Sequence, residues 1–294
     1  MMSSSAGDPS QYIEELKARV GAETLERYRT ETCINGVLEY KLNQLLAAAS
    51  HDVPENRIVE RAAHVIDQCL LLRDVLKIDT VLDDDYFPAS LVSLLQTFSC
   101  MSVVGNDFRG NTVIFFNLKG FNPIEYRKIW EFGHRDIPQE FQGHPEFEDA
   151  CVVNYCSLWY VRMMEWIHKY RFERYKRGEA QEPKVVMILD IESAGISTYS
   201  TELKMFLKGI KISGGYLFPE ICDYIYAANV PWLAYRFWPV IKFFLHPATA
   251  SKVDLYDKIK TKSTLPNMIK LSELPTDLGG EYEPETRFES PPHI

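Results

Sequence analysis

The chain has 294 residues, of which 46% are apolar, 13% aromatic and 25% charged, a balance typical of a globular protein with a sizeable core. Acidic residues outnumber basic ones by 41 to 32, and the resulting net charge of -9 argues against sequence-blind binding to nucleic acid. The 16 Phe, 16 Tyr and 5 Trp are more aromatic residues than solvent contact favours, and they indicate either a bulky core or a cavity lined with rings.

Helical periodicity dominates the first part of the chain, from about Gln11 to Leu82. Apolar residues recur there every three or four positions, and the pattern breaks at residues 51–54, which read His-Asp-Val-Pro. Phe87-Pro88 marks the start of the next unit. We therefore predict a flexible tail over residues 1–10, a helical N-terminal unit over 11–85, a second unit over 86–280 and a flexible polar tail over 281–294.

Beyond the helical unit the pattern changes to short apolar runs. Thr112–Asn117 and Val185–Leu189 are bounded by turn formers, which is typical of strands that are buried on both faces. Between them, Glu148–Arg177 is predicted to be one long helix. Ile225–Ala228 and Lys252–Tyr256 are two further candidate strands, each preceded by helix-like sequence. Strands that alternate with helices predict an α/β fold.

Signatures of catalysis and metal binding are missing from the sequence. It contains no GxGxxG, no GxxxxGK[ST], no GxSxG and no HExxH. The six cysteines include no CxxC pair and no zinc-type spacing with histidine, so we interpret them as reduced, buried thiols. The acidic triplet at 83–85 is typical of a solvated linker rather than a cation site. We expect no catalytic residue, no metal and no cofactor.

The segment Trp232–Leu245 is unusually apolar, because only Arg236 and Lys242 in it are charged. Its length suits an ordinary buried helix. Its Trp and Tyr side chains, however, are favoured where one end is apolar and the other is wet, and Pro239 can act as a hinge. We predict an interfacial or gating helix. The aromatic and apolar gate candidates are Trp232, Tyr235, Phe237, Trp238, Phe243, Phe244 and Leu245.

Motifs on both sides of this segment resemble, in order and spacing, those of the CRAL-TRIO lipid-binding domain. They are YLFPE at 216–220, NVP at 229–231, FFL at 243–245, TASKV at 249–253 and LPTDLGG at 274–280. Upstream, residues 107–113 are similar to the entry of the family's first strand, and 190–195 to the end of its central strand. The resemblance covers about Ile58–Gly280, and residues 62–82 are similar to the family's N-terminal three-helix element.

This resemblance implies a mixed sheet that forms the floor of a hydrophobic pocket. The pocket would hold one phospholipid and would be closed by a gate helix at Trp232–Leu245. It also implies that Glu220 and Lys252, which are 252 minus 220 or 32 positions apart, form the phosphatidylinositol-binding pair. Thr249 would be the accompanying headgroup hydroxyl, and Tyr216 would lie in the same binding motif.

The chemistry of the pair agrees with that role. A buried phosphodiester requires a cation, which Lys252 supplies, and the Glu220 carboxylate accepts hydrogen bonds from inositol hydroxyls. Without the resemblance, an ordinary surface ion pair or a helix cap would explain the two residues better.

The sequence departs from the family pattern in three features. The leucine-arginine motif of the N-terminal unit is replaced by LNQLLAAA at 42–49, so we expect the cation of that motif to be missing. Val185 and Met187 occupy strand sites where phosphatidylcholine exchangers carry Ser or Thr, which argues against a choline lipid. His246 replaces the usual acidic residue before the Pro-x-Thr turn, and we assign it no function.

We therefore expect a cytosolic lipid-transfer protein that binds one phospholipid, phosphatidylinositol above others, and exchanges it at membranes to which it binds peripherally and transiently. Two alternatives remain open. One is a lipid-sensing or scaffolding module without transfer, and the other is a carrier of a small hydrophobic ligand, which is favoured if Glu220 and Lys252 face solvent. The expected partners are a phospholipid and a membrane surface, not nucleic acid.

Overall fold

The computed structural model describes residues 9–32, 37–98, 101–117, 121–137, 139, 151–192, 200–232, 235–236, 238–239 and 247–282. In these ranges the helices are α1 (Pro9–Val20), α2 (Ala22–Glu31), α3 (Leu38–Asp52), α4 (Ile58–Leu76), α5 (Ala89–Phe98), α6 (Pro123–Phe132), α7 (Tyr155–Lys176), α8 (Thr201–Leu217), α9 (Pro247–Ala250) and α10 (Lys258–Thr264). The strands are β1 (Met101–Asn106), β2 (Thr112–Asn117), β3 (Val185–Asp190), β4 (Cys222–Ala228) and β5 (Val253–Leu255).

The N-terminal helices α1–α4 follow the predicted periodicity. Leu16, Leu42 and Ile66 are fully buried on their inner faces, where residues spaced by three or four share one stripe. Gly21 separates α1 from α2 with a positive φ of 86°, a conformation that glycine adopts at little cost. The predicted break at residues 51–54 is confirmed, because α3 ends at Asp52. One continuous cluster of buried side chains extends from these helices to α7 and α8.

The five strands form one mixed sheet in the order β1-β2-β3-β4-β5. β1 and β2 are antiparallel, and all later neighbours are parallel. The predicted α/β class is confirmed. β1 was not predicted, because its sequence MSVVGN is short and only weakly apolar. Of the residues 107–113 that resemble a strand entry, 107–111 form the turn between β1 and β2, and Thr112 and Val113 begin β2.

Both faces of the sheet are covered, by different layers. On one face, Ile114, Phe116 and Val185 pack against the helices. On the other face, Val113 and Ile188 pack against the C-terminal segment, whose buried side chains there are Tyr256, Leu265, Ile269, Leu274 and Leu278. Because side chains alternate along a strand, Met187 lies on the same face as Val185, toward the helices.

Several predicted boundaries need correction. The long helix begins at Tyr155 rather than at residue 148, because the Asn154 side chain accepts a hydrogen bond from the Cys156 amide and caps its start; residues 140–150 lie outside the described ranges. β4 begins at Cys222, three residues earlier than predicted, and β5 is limited to Val253–Leu255. In the described ranges, none of the helices is long and apolar enough to span a membrane.

A buried ion pair joins the N-terminal helices to the long helix α7. The Arg73 guanidinium lies 3.4 Å from the Glu165 carboxylate, and the two side chains are 2% and 1% exposed. Arg73 also donates to Asp79 at 2.6 Å. Charges at such depth are stable only when they are paired, so this contact fixes how α4 packs on α7.

Candidate functional site

Glu220 and Lys252 meet at one edge of the sheet. Glu220 precedes β4 and Lys252 precedes β5, and because these strands are parallel neighbours, their amino ends lie side by side. The Lys252 ammonium donates to the Glu220 carboxylate and, at 3.0 Å, to the Cys222 carbonyl. The side chains are 22% and 17% exposed. The pair is therefore mostly shielded from water while one side of it stays accessible.

The backbone at Glu220 is held in an unusual conformation. Its φ is 58°, a left-handed geometry that costs a residue with a side chain roughly 1–2 kcal/mol. The adjoining Pro219 carbonyl accepts a hydrogen bond of 2.6 Å from the Lys41 ammonium. Such strain persists where surrounding contacts enforce it, and it is concentrated at functional sites. Lys41 thus helps to hold Glu220 in the position from which it reaches Lys252.

Lys41 is a residue of this site that the sequence did not predict. It is 2% exposed and reaches the site from α3, in the unit where the absence of the leucine-arginine motif predicted no cation. A signal was present, since Lys41 precedes the buried Leu45 by four positions, which places it on the inner face of the helix. Burial lowers the pKa of Lys41 well below its usual value, and the nearby charge of Arg171 lowers it further.

The other two predicted ligand residues are placed differently from the pair. Thr249 is half-buried, and its carbonyl accepts from the Lys252 amide at 3.1 Å, so it lies within the same turn as Lys252. Tyr216 lies on the last turn of α8, and its ring contacts that of His64 on α4 at a centroid distance of 6.0 Å. Tyr216 therefore lies at the contact between α8 and α4, whereas Thr249 lies in the turn that carries Lys252.

His168 lies behind this site and links α7 to the end of α2. Its Nε2 contacts the Thr32 carbonyl at 2.6 Å, and its Nδ1 lies 2.8 Å from the Arg171 guanidinium. A carbonyl can only accept and a guanidinium can only donate, so the neutral ring with its proton on Nε2 fits both contacts. Burial lowers the pKa of His168 well below its usual value, and the charge of Arg171 adds to this effect.

Stability is therefore expected to fall in mild acid. The unfolded chain binds a proton at His168 near pH 6.5 and the folded chain does not, so the contribution is complete above pH 6.5 and decreases by about 1.4 kcal/mol for each pH unit below it. Denaturant unfolding from pH 7 to 5 measures this slope. His168→Gln, which retains one donor and one acceptor, should have a shallower slope. Equal slopes in the two proteins would contradict the neutral assignment.

Rings and sulfur-containing side chains pack between the helices and the sheet. A cavity there of about 10 Å³ is bordered by Phe98, Phe116, Trp159, Tyr160 and Phe206, among others. This volume suits about one water molecule, whereas ligand pockets occupy roughly 300 Å³ or more. This cavity is therefore too small to hold an acyl chain.

The predicted gate segment is described only in part. Trp232, Tyr235 and Trp238 are helical, and Trp232 is 70% and Tyr235 39% exposed. The Tyr235 hydroxyl donates to the Leu255 carbonyl at 3.3 Å, so Tyr235 lies beside the end of β5. Phe237, Phe243, Phe244, Leu245 and His246 lie outside the described residues.

Comparison with known proteins identifies the family. The CRAL/TRIO domain matches residues 98–280, well over half of the 294 residues. The chain belongs to the CRAL/TRIO domain family, as its motifs indicated, and is accordingly a lipid-binding protein of a family whose members are generally carriers rather than enzymes.

The fold is similar to that of a solved structure, described as the crystal structure of Sfh5. The two chains are 12% identical, with a TM-score of 0.52, and the similarity covers 90% of this chain and 85% of that one. At this level of identity the similarity concerns the fold alone. No curated protein matches the chain.

Proposed function

We propose that this protein binds one phospholipid with an inositol headgroup and transfers it between membranes. The observation that carries the proposal is the Glu220–Lys252 pair, which combines a hydrogen-bond acceptor and a cation in a mostly buried position with one accessible side. A phosphodiester pairs with the ammonium group, and the carboxylate accepts from ring hydroxyls. Thr249, which lies in the same turn as Lys252, is proposed to contribute its hydroxyl group to the headgroup.

The sheet supports an inositol lipid over a choline lipid. Val185 lies on the face toward the helices and Met187 shares that face. Binding of a choline lipid would need hydroxyl groups at these two positions, which instead carry apolar side chains. A carrier of a small, uncharged hydrophobic ligand is less favoured as well, because such a ligand gives no reason to keep two opposite charges mostly out of water.

Vesicle-to-vesicle transfer tests this function. Donor vesicles carry fluorescent phosphatidylinositol, acceptor vesicles carry none, and the protein is added at a concentration well below that of the lipid. We expect faster transfer of phosphatidylinositol than of phosphatidylcholine, without release of any hydrolysis product. Absence of both binding and transfer of phosphatidylinositol would contradict the proposal.

A second candidate is a lipid-sensing or scaffolding module in which the interior stays closed. The small cavity between the helices and the sheet favours it, because the described side chains already fill that seam. The transfer assay separates the two candidates. A sensing module binds vesicles that contain its lipid but moves no label between them.

The exposed start of the gate segment is proposed to enter the membrane when lipid is exchanged. Trp232 stacks loosely with Arg236, whose guanidinium lies 5.9 Å from the ring centroid, and this pair suits an interface with an apolar and an anionic side. We expect tryptophan emission to shift to the blue when anionic vesicles are added.

Two variants test whether Trp232 causes this shift in emission. Trp232→Phe should lose most of it, whereas Trp159→Phe, which alters a buried ring, should retain it. An undiminished shift in Trp232→Phe would exclude Trp232 as the contact with the membrane.

A further inference from the structure

The amino ends of β3, β4 and β5 collect more positive charge than the Glu220–Lys252 pair needs. Lys184 directly precedes β3, where the Val185 amide donates to the Ile221 carbonyl at 3.0 Å and Val185 lies in register with Cys222. Lys184 is therefore fixed beside segment 220–222. Lys252 contacts the same segment through Glu220 and the Cys222 carbonyl. Lys41 approaches the same segment from α3.

These cations lack matching anions. Lys184 is half-buried, and none of the described residues provides a hydrogen bond or an ion pair for its ammonium group. Among the described residues, the Lys41 ammonium has one hydrogen-bond acceptor, the Pro219 carbonyl. Arg171 is buried, donates to the Pro183 carbonyl, and leaves its Nε without a partner among the described residues. Buried cations normally pair with carboxylates or bound anions.

Nearby carboxylates do not balance this charge. The four cations Lys41, Arg171, Lys184 and Lys252 face one directly paired carboxylate, Glu220. Two further carboxylates, Asp223 and Glu182, act electrostatically on Lys184. Asp223 is already paired with Arg109 at 2.6 Å, and Glu182 accepts a hydrogen bond from the Tyr40 hydroxyl at 2.9 Å. Glu165, which acts electrostatically on Arg171, is held by Arg73. Counted as formal charges and with Glu182 included, the four cations and two carboxylates leave an excess of two positive charges among the described residues.

The charged groups around segment 220–222 act on one another electrostatically. Burial lowers the pKa of Lys184 and the positive charge of Lys252 lowers it further, whereas Glu220, Asp223 and Glu182 raise it. Burial also lowers the pKa of Arg171 to about 9. Cys222 lies among three of these groups, since Lys252, Arg171 and Lys184 all act electrostatically on its thiol. A bound polyanion would relieve the mutual repulsion of these cations.

We propose that the site takes an inositol headgroup that carries an additional phosphate monoester, and that Lys184 is the residue that selects it. This inference rests on the proposed function and specifies its ligand. The phosphodiester of phosphatidylinositol brings one negative charge, whereas a monoester adds about 1.5 to 2 more near neutral pH. Together they match the positive excess around segment 220–222, which phosphatidylinositol alone does not.

Binding of the full chain to vesicles tests the proposal. Phosphatidylcholine vesicles contain either phosphatidylinositol, one of its three ring monophosphates, or phosphatidylserine at matched charge. We expect at least one monophosphate to bind about tenfold or more tightly than phosphatidylinositol and than phosphatidylserine. Binding of phosphatidylinositol without such a preference would overturn the phosphate subsite and leave the proposed function intact. Failure of all inositol lipids to bind would overturn both.

Variants assign the preference to Lys184. Lys184→Ala should abolish it while the affinity for phosphatidylinositol changes less than about twofold, and Lys184→Arg should retain it. Lys176→Ala, on the exposed end of α7, is the matched control and should behave like the wild type. An unchanged preference in Lys184→Ala, or equal weakening for both lipids with a lower melting temperature, would contradict the assignment.

The free headgroup distinguishes a lipid ligand from a soluble one. Inositol bisphosphate without acyl chains should bind more weakly than the monophosphate lipid if the apolar interior contributes. Equal affinities would overturn the lipid as ligand and leave a soluble inositol phosphate in its place.

Discussion

Lys252→Ala and Glu220→Ala are each expected to weaken phosphatidylinositol binding by about 10- to 100-fold. Each variant removes a charge-assisted contact to the headgroup, worth roughly 1.5–3 kcal/mol. Titration with phosphatidylinositol vesicles measures the loss. The fold should survive, because the pair is partly exposed and a contact of this kind adds little to stability.

An ion pair elsewhere on the surface provides the control. Lys258 and Glu192 lie 2.6 Å apart, and both are more exposed than the site pair. Lys258→Ala should leave lipid binding unchanged. Binding of a less polar lipid such as diacylglycerol should persist in the site variants. An equal loss for every lipid, or a large fall in melting temperature, would identify Glu220 and Lys252 as structural residues.

Arg73→Met is expected to lower the free energy of unfolding by about 3–5 kcal/mol. The change leaves Glu165 buried, and a buried charge without its partner is strongly destabilising; the nearest remaining cation among the described residues is Lys169 at 3.8 Å. Glu165→Met should cost less, since Arg73 keeps its bond to Asp79. Urea unfolding monitored by circular dichroism measures both effects.

The double variant tests whether the two residues act as a pair. Arg73→Met with Glu165→Met removes both charges, so its cost should be clearly smaller than the sum of the single costs. Arg57→Ala, which breaks an exposed pair with Glu60, should cost less than about 1 kcal/mol. Additive effects of Arg73 and Glu165 would contradict a coupled contact between α4 and α7.

The α/β class and the central strands could be predicted because they depend on local signals. β2 and β3 are short apolar runs between turn formers, and the fold places them in the interior of the sheet. β1 gives no such signal, since it is an edge strand and only Met101 and Val104 in it are buried. Its position depends on pairing with β2, a contact that is not encoded within its own six residues.

The candidate site was predictable only where it coincides with a family motif. Glu220 and Lys252 were identified from their motifs and spacing, and the structure places their charged groups together. Lys41 and Lys184 were not identified, because each reaches segment 220–222 through tertiary packing of α3 or β3. Helical periodicity places Lys41 on a buried face, but it does not show which loop lies opposite.

The lipid that the purified protein retains tests the central claim most directly. Quantitative mass spectrometry of an organic extract, compared with the protein concentration, gives both the identity and the stoichiometry of the bound amphiphile. The account predicts about one phospholipid per chain, enriched in inositol phospholipids relative to the lipids of the host cell. An extract without any amphiphile, from protein that also fails to take up phosphatidylinositol from vesicles, would contradict it.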